Sequence, residues 1–125
     1  MNQFKVHTTK FNIGLPTEYA IEIYQRKSFK QTYQAVDAAN GEPVNLSPYT
    51  IAMQIRRDVT SNVPLVELSP GNGIENEGDK LTVKLTSEQT EKMVGSAVGD
   101  VMFVNDGIVQ YPLRFLFTVP ASVTR

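Results

Sequence analysis

The sequence predicts an all-β domain, an antiparallel β-sandwich of about seven strands with one short crossover helix. Three observations predict it. Residues 50–57 alternate strictly, with Ile51, Met53 and Ile55 on one face and Ala52, Gln54 and Arg56 on the other. A strand with one buried and one wet face reads this way. The pattern recurs along the chain, with turn residues roughly every eight to twelve positions. The length, 125 residues, is that of one domain, and such a domain buries about 65% of its unfolded surface without help from metal or disulfide.

The division expected is an N-terminal arm over 1–17 and a sandwich domain over 18–125. In the arm, Phe4, Val6, Phe11, Ile13 and Leu15 sit among Lys5, His7, Thr8, Thr9, Lys10 and Asn12. So many apolar side chains in a short stretch are costly to leave in water. The arm docks either on its own domain or on a neighbour, and the sequence allows both. Tyr19, Ile21 and Ile23 give the first core strand over 18–24, and 29–36 gives the second. Asn40-Gly41 suits a turn with positive φ. Val44 and Leu46 form a short apolar connection into 50–57. Leu65, Val66 and Leu68 make a short strand that ends at Pro70-Gly71-Asn72-Gly73.

Leu81, Val83 and Leu85 alternate with Thr82 and Lys84 in the next strand. Thr86 followed by Gln89 is a capping-box pattern, and Glu88 favours the positive end of a helix. The helix is expected over 87–94, stopped by Gly95, with Met93 and Val94 plugging one end of the sandwich. Residues 101–104 are the next strand, Asn105-Asp106-Gly107 a tight turn and 108–119 a long last strand. Ile51, Met53, Ile55, Leu81, Val83, Leu85, Phe115 and Phe117 are the expected core.

Composition and motifs point away from several chemistries. A net charge of −1 with 20% charged residues is not the concentrated basic surface that nucleic-acid binding requires. Arg56-Arg57 reads as a strand end reaching water. No stretch approaches the roughly 20 apolar residues of a membrane span, and the first residues lack the apolar run of a secretory signal. There is no cysteine, so thiol catalysis and thiolate metal sites are not expected. The only histidine, His7, lies in the arm, whereas nucleophile–base catalysis needs a base beside the nucleophile. Glu75, Glu77 and Asp79 alternate, but without the spacing of a calcium loop; they read as a solvated hairpin loop. Gly71-Asn72-Gly73 lacks the context of a phosphate loop. No catalytic residue, cofactor or metal is expected.

The last strand carries more apolar residues than one buried face needs. Alternation puts Tyr111, Leu113, Phe115, Phe117 and Val119 on one face and Pro112, Arg114, Leu116 and Thr118 on the other. Leu116 is out of place there, as Met102 and Val104 are opposite Val101 and Phe103. Apolar residues on both faces mark a strand that is central or covered. Met102, Val104 and Leu116, together with the apolar residues of the arm, are the candidate subunit interface.

Several stretches resemble a family of small phage and prophage proteins with an immunoglobulin-like β-sandwich. The family includes the N-terminal domain of the siphophage baseplate upper protein. Asn40-Gly41-Glu42-Pro43-Val44-Asn45-Leu46-Ser47-Pro48-Tyr49 and the strand after it resemble the family's Pro-Val-Asp-Leu-Thr-Gly-Tyr turn and strand. Ile23-Tyr24-Gln25-Arg26-Lys27-Ser28-Phe29 resembles its early hairpin, although the family commonly carries Arg-Gly-Asp where this chain has Gln25-Arg26-Lys27. Leu85-Thr86-Ser87-Glu88-Gln89-Thr90 resembles its Leu-Thr-Ala-Glu-Gln-Thr crossover, and residues 119–125 resemble its usual end. The arm has no counterpart. The resemblance implies a virion component of tail, baseplate or fibre, made in the host cytoplasm, that works by attachment to other phage structural proteins and by homo-oligomerisation. It implies no enzyme activity, nucleic-acid partner or membrane partner. The alternative is a carbohydrate-binding module, which exposed and clustered Tyr24, Tyr33, Tyr49 and Tyr111 would favour.

Overall fold

A computed structural model describes residues 9–14 and 16–121. Its elements in chain order are β1 (Thr9–Asn12), β2 (Thr17–Glu22), β3 (Phe29–Val36), β4 (Thr50–Arg56), β5 (Val66–Pro70), β6 (Gly73–Glu77), β7 (Lys80–Leu85), α1 (Ser87–Glu91), β8 (Gly95–Asn105) and β9 (Ile108–Val119). The fold is all-β, as the alternation predicts. The count and layering differ from expectation. Nine strands form one sheet in the order β1-β3-β7-β6-β5-β4-β8-β9-β2, nearly closed into a barrel.

The reason lies in β5. It pairs with β4 through Met53–Leu68, Gln54–Glu67 and Ile55–Val66, and its far end touches β6 at Ser69–Gly73 and Pro70–Ile74. Gly71 and Gly73, with φ of 77° and 94°, let the chain fold back there without the cost of a Cβ at positive φ. The two halves that would have been separate layers are therefore joined at a corner. Nor is the sheet wholly antiparallel. β1 runs parallel to β3 and β2 runs parallel to β9.

β1 and β2 are the two edges of the sheet, although they follow one another in the chain. The seam between them is closed by a side chain, with the Tyr19 hydroxyl donating to the Lys10 carbonyl. Part of the expected arm thus belongs to the sheet. Phe11 is 1% exposed and meets Phe103 edge-on at 5.8 Å between ring centroids.

Every residue expected in the core is buried. The inward faces of the strands meet there, with Tyr33 and Phe115 packed across from β3 to β9 at 5.3 Å. Met93 is fully buried in the core, and Val94 packs against that core. The helix is shorter than expected and ends at Lys92, because the strand that follows starts at Gly95 rather than at 101. Its early residues, Gly95, Ser96, Ala97 and Gly99, are small, which hid the alternation. Residues 73–77, expected as part of a loop, are a strand. Only Ile74 of that strand is buried, so its polar sequence reads as a loop. The loop before β3 places Arg26 at φ 68°, a left-handed conformation that non-glycine residues adopt rarely.

Candidate functional site

The outer face of β5, β4, β8, β9 and β2 carries the residues of interest, arranged in rows that cross the strands. One row is polar throughout. Register places Glu67 beside Gln54, Gln54 beside Asp100, Asp100 beside Arg114 and Arg114 beside Glu18. Gln54 Nε2 donates to Glu67 Oε2 at 3.1 Å, and Arg114 Nε donates to Asp100 Oδ1 at 2.8 Å. Glu18 Oε2 stands 4.0 Å from Arg114 Nη1. Asp100 stabilises the charged guanidinium, by hydrogen bond and by charge, and pushes the Arg114 pKa further up. Arg56 reaches back along β4 to donate to Gln54 Oε1 and to the Ser61 carbonyl at 3.3 Å.

Apolar residues flank this row on both sides. Towards the β8–β9 turn lie Ala52 and Met102, which are register partners, and then Val104 and Val109. Away from it lie Val98, Leu116 and Ala20, again in register. Met102, Val104 and Leu116 therefore do share the outer face, but the Asp100–Arg114 pair separates Leu116 from the other two. Met102 and Val104 are half-buried and Leu116 is 40% exposed. Of the other interface candidates, Phe11 is in the core and Ile13 packs against it. Phe4, Val6 and Leu15, like His7, lie outside the described residues.

Tyr111 is the residue that alternation misplaces. Val101 pairs with Leu113 but Phe103 pairs with Gln110, so β9 holds one extra residue opposite Met102. Proline cannot donate to a ladder and is tolerated at such a bulge. Pro112 occupies it and turns inward, while Tyr111 turns out and is 57% exposed. A proline in the middle of an alternating run was the signal for this.

Together these elements enclose an open trough of about 650 Å³. Ala52, Gln54, Asp100 and Met102 make its floor. Glu67, Ser69 and Asn72 stand on one side and Tyr111 on the other. Ala52 contributes only a methyl group to this lining.

Other candidates do not gather into a site. Tyr33 is buried, and Tyr49 packs on Phe103 at 5.5 Å. Tyr24 is 56% exposed but follows Ile23, whose amide bonds Thr118 at 3.0 Å. Thr118 and Tyr111 lie at opposite ends of β9, about 23 Å apart at the rise of a strand, so the tyrosines do not cluster. Glu75 binds Lys84 at 2.6 Å, and Asp79 binds Gln34 and Lys80 at 2.6 and 3.1 Å. These bonds hold both carboxyls below their usual range. Among the described residues no three metal-ligating side chains stand together. Arg57 does not simply reach water. Its guanidinium donates to the carbonyls of Val94 and Ser96, each at 2.7 Å, and of Lys92 at 3.3 Å.

No protein-family model matches the sequence, and no curated protein matches it. Among solved structures the chain is similar to the N-terminal domain of phage TP901-1 ORF48, with a TM-score of 0.55 and 15% sequence identity. The match covers 91% of this chain and 97% of that one, so the likeness in fold runs along nearly the whole of both.

Proposed function

We propose that this chain is a structural component of a phage virion, in the tail, baseplate or fibre, and that it acts by attachment rather than catalysis. The observation that carries this reading is the shared fold, over 91% of the chain, with a domain of a phage protein. The sequence motifs of the 40–56 turn and strand and of the 85–90 crossover point the same way. In this reading the attachment surface is the Leu116 side of the outer face. There Val98, Leu116 and Ala20 form an apolar row that runs to the edge strand β2. Edge strands and exposed apolar rows are the surfaces through which β-domains pair with neighbours. Its partners are other phage structural proteins and further copies of itself, without nucleic acid or membrane.

The test is incorporation. The gene carrying an affinity tag is expressed during phage production, and particles are purified by density gradient. The tagged chain is expected in the particles, and Leu116→Lys is expected to reduce its amount. Particles that form fully and contain none of the chain would refute the reading.

A further inference from the structure

We infer that the trough on the outer face is a binding site for a neutral oligosaccharide. This goes beyond the attachment role and uses the opposite side of the Asp100–Arg114 pair.

The first argument is shape. The trough measures about 650 Å³, inside the range of roughly 300–1,000 Å³ typical of small-ligand sites. It is an open channel across a sheet face, which admits a chain-like ligand rather than enclosing a single small one.

The second is hydrogen bonding. The polar groups of the floor are held in place by one another. Gln54 is fixed between Glu67 and Arg56, Arg56 is anchored on the Ser61 carbonyl, and Asp100 is held by Arg114. These bonds engage Glu67 Oε2 and Asp100 Oδ1 and hold both carboxylates in place. Fixed carboxylate acceptors suit ligands rich in hydroxyl donors. Such ordering before binding lowers the entropic cost of association.

The third is the ring of Tyr111. The bulge at Pro112 turns this aromatic outward beside the trough, against the alternation of its strand. A rigid ring with an apolar face and a polar tip packs on the C–H face of a pyranose while its hydroxyl stays wet.

The fourth is charge. Glu67 and Asp100 face Arg56 within the trough, and Arg114 at its border is shared between Asp100 and Glu18. The one surplus negative charge disfavours an anionic ligand. A protein partner fits less well, because the apolar lining is limited to a few side chains such as Ala52, Met102 and Tyr111. Specific protein interfaces bury about 800 Å² per partner around an apolar centre.

The experiment uses the full chain in solution, so its result is independent of incorporation into particles. Amide chemical shifts and calorimetry follow titration with hexasaccharides: α-1,4-glucan, β-1,4-glucan, β-1,4-N-acetylglucosamine and β-1,4-galactan, with hexagalacturonate as the anionic member. At least one neutral hexasaccharide is expected to saturate with shifts on β4, β5, β8 and Tyr111. Tyr111→Ala is expected to weaken it at least tenfold, and Ala52→Tyr, which puts a ring into the trough from its lining, to abolish it. Val59→Thr, in the loop after β4, is expected to leave it unchanged. The site is overturned if no neutral member binds, if the shifts fall elsewhere, or if binding survives both trough variants. Preference for the galacturonate, or protection of the trough by a phage protein with no sugar bound, would overturn it equally.

Discussion

Tyr33 carries a hydroxyl into the core, where it has no hydrogen-bond partner among the described residues. Its ring is held between Tyr19 at 5.6 Å and Phe115 at 5.3 Å. A buried polar atom left unpaired costs roughly 1–3 kcal/mol. Tyr33→Phe keeps the ring and removes that atom, so urea unfolding at neutral pH is expected to show a gain of about 1 kcal/mol. Burial pushes the Tyr33 phenol well above its usual range, with Tyr19 adding to the shift. The folded state thus binds a proton that the unfolded chain releases near pH 10. This contribution is fully present below that pH and is lost as pH rises towards the folded value. Tyr33→Phe is expected to flatten the fall in stability above about pH 10, and an unchanged slope would contradict the assignment. Gly99 supplies a second residue-level test. A Cβ there would overlap Met53 Cε and stand 3.0 Å from Phe117 Cε2. Gly99→Ala is expected to cost about 1–3 kcal/mol by overpacking, and Met53→Ala about 2–5 kcal/mol by cavity formation. The two act on one space, so the double variant is expected to cost less than the sum. Simple additivity in a double-mutant cycle would refute the contact. Met53 was legible as core from alternation alone. Gly99 was not, because its role depends on side chains from two other strands.

At the level of elements, α1 is held by more than its sequence pattern. Thr86 accepts from the Gln89 amide at 3.1 Å, and Gln89 Oε1 accepts from the Thr86 amide at 2.8 Å. Helices this short are not stable alone, so tertiary anchors are required. Thr90 is fully buried and its hydroxyl lies 2.9 Å from the Lys27 carbonyl. Arg57 binds the carbonyls that leave the helix. Thr86→Ala is expected to cost about 1 kcal/mol, read by thermal unfolding; no measurable loss would mean that the tertiary anchors alone hold the turn. The capping box was legible because it is local. The Arg57 clamp was not, since its acceptors lie more than thirty residues away. Strand limits followed the same division. β3 and β9 were read with their observed ends, β9 because its inward residues from Leu113 to Val119 are large. β6 was missed because its outward residues are acidic, and the start of β8 because its inward residues are small. Inside β9 the bulge changed which face Tyr111 occupies. The trough therefore could not be read from alternation, although three of its floor residues, Ala52, Gln54 and Met102, lie on strands that were.

For the whole molecule, closing the sheet determines where further copies can attach. Among the described residues the nine-stranded sheet ends in the edges β1 and β2, and the Tyr19–Lys10 bond ties them together. β2 lies beside the exposed Leu116, while Phe11 on β1 is committed to the core. The sequence showed surplus apolar residues but not this division, because chain distance says nothing about which strands become edges. Self-association is therefore expected to use the Leu116 row together with residues 1–8, which hold Phe4 and Val6. Covering apolar surface contributes about 25 cal/mol per Å², so a few hundred Å² outweighs little more than the cost of association itself. The resulting oligomer is expected to be weak and concentration-dependent. Light scattering across micromolar concentrations measures it. A chain beginning at Thr17 would lack Phe11 and lose its packing on Phe103, so its failure to associate would report unfolding. A chain beginning at Thr9 keeps β1 and is the appropriate comparison. Leu116→Lys in the full chain and the Thr9 start are each expected to shift the population to monomer. A full chain that remains monomeric throughout would exclude self-association through this face.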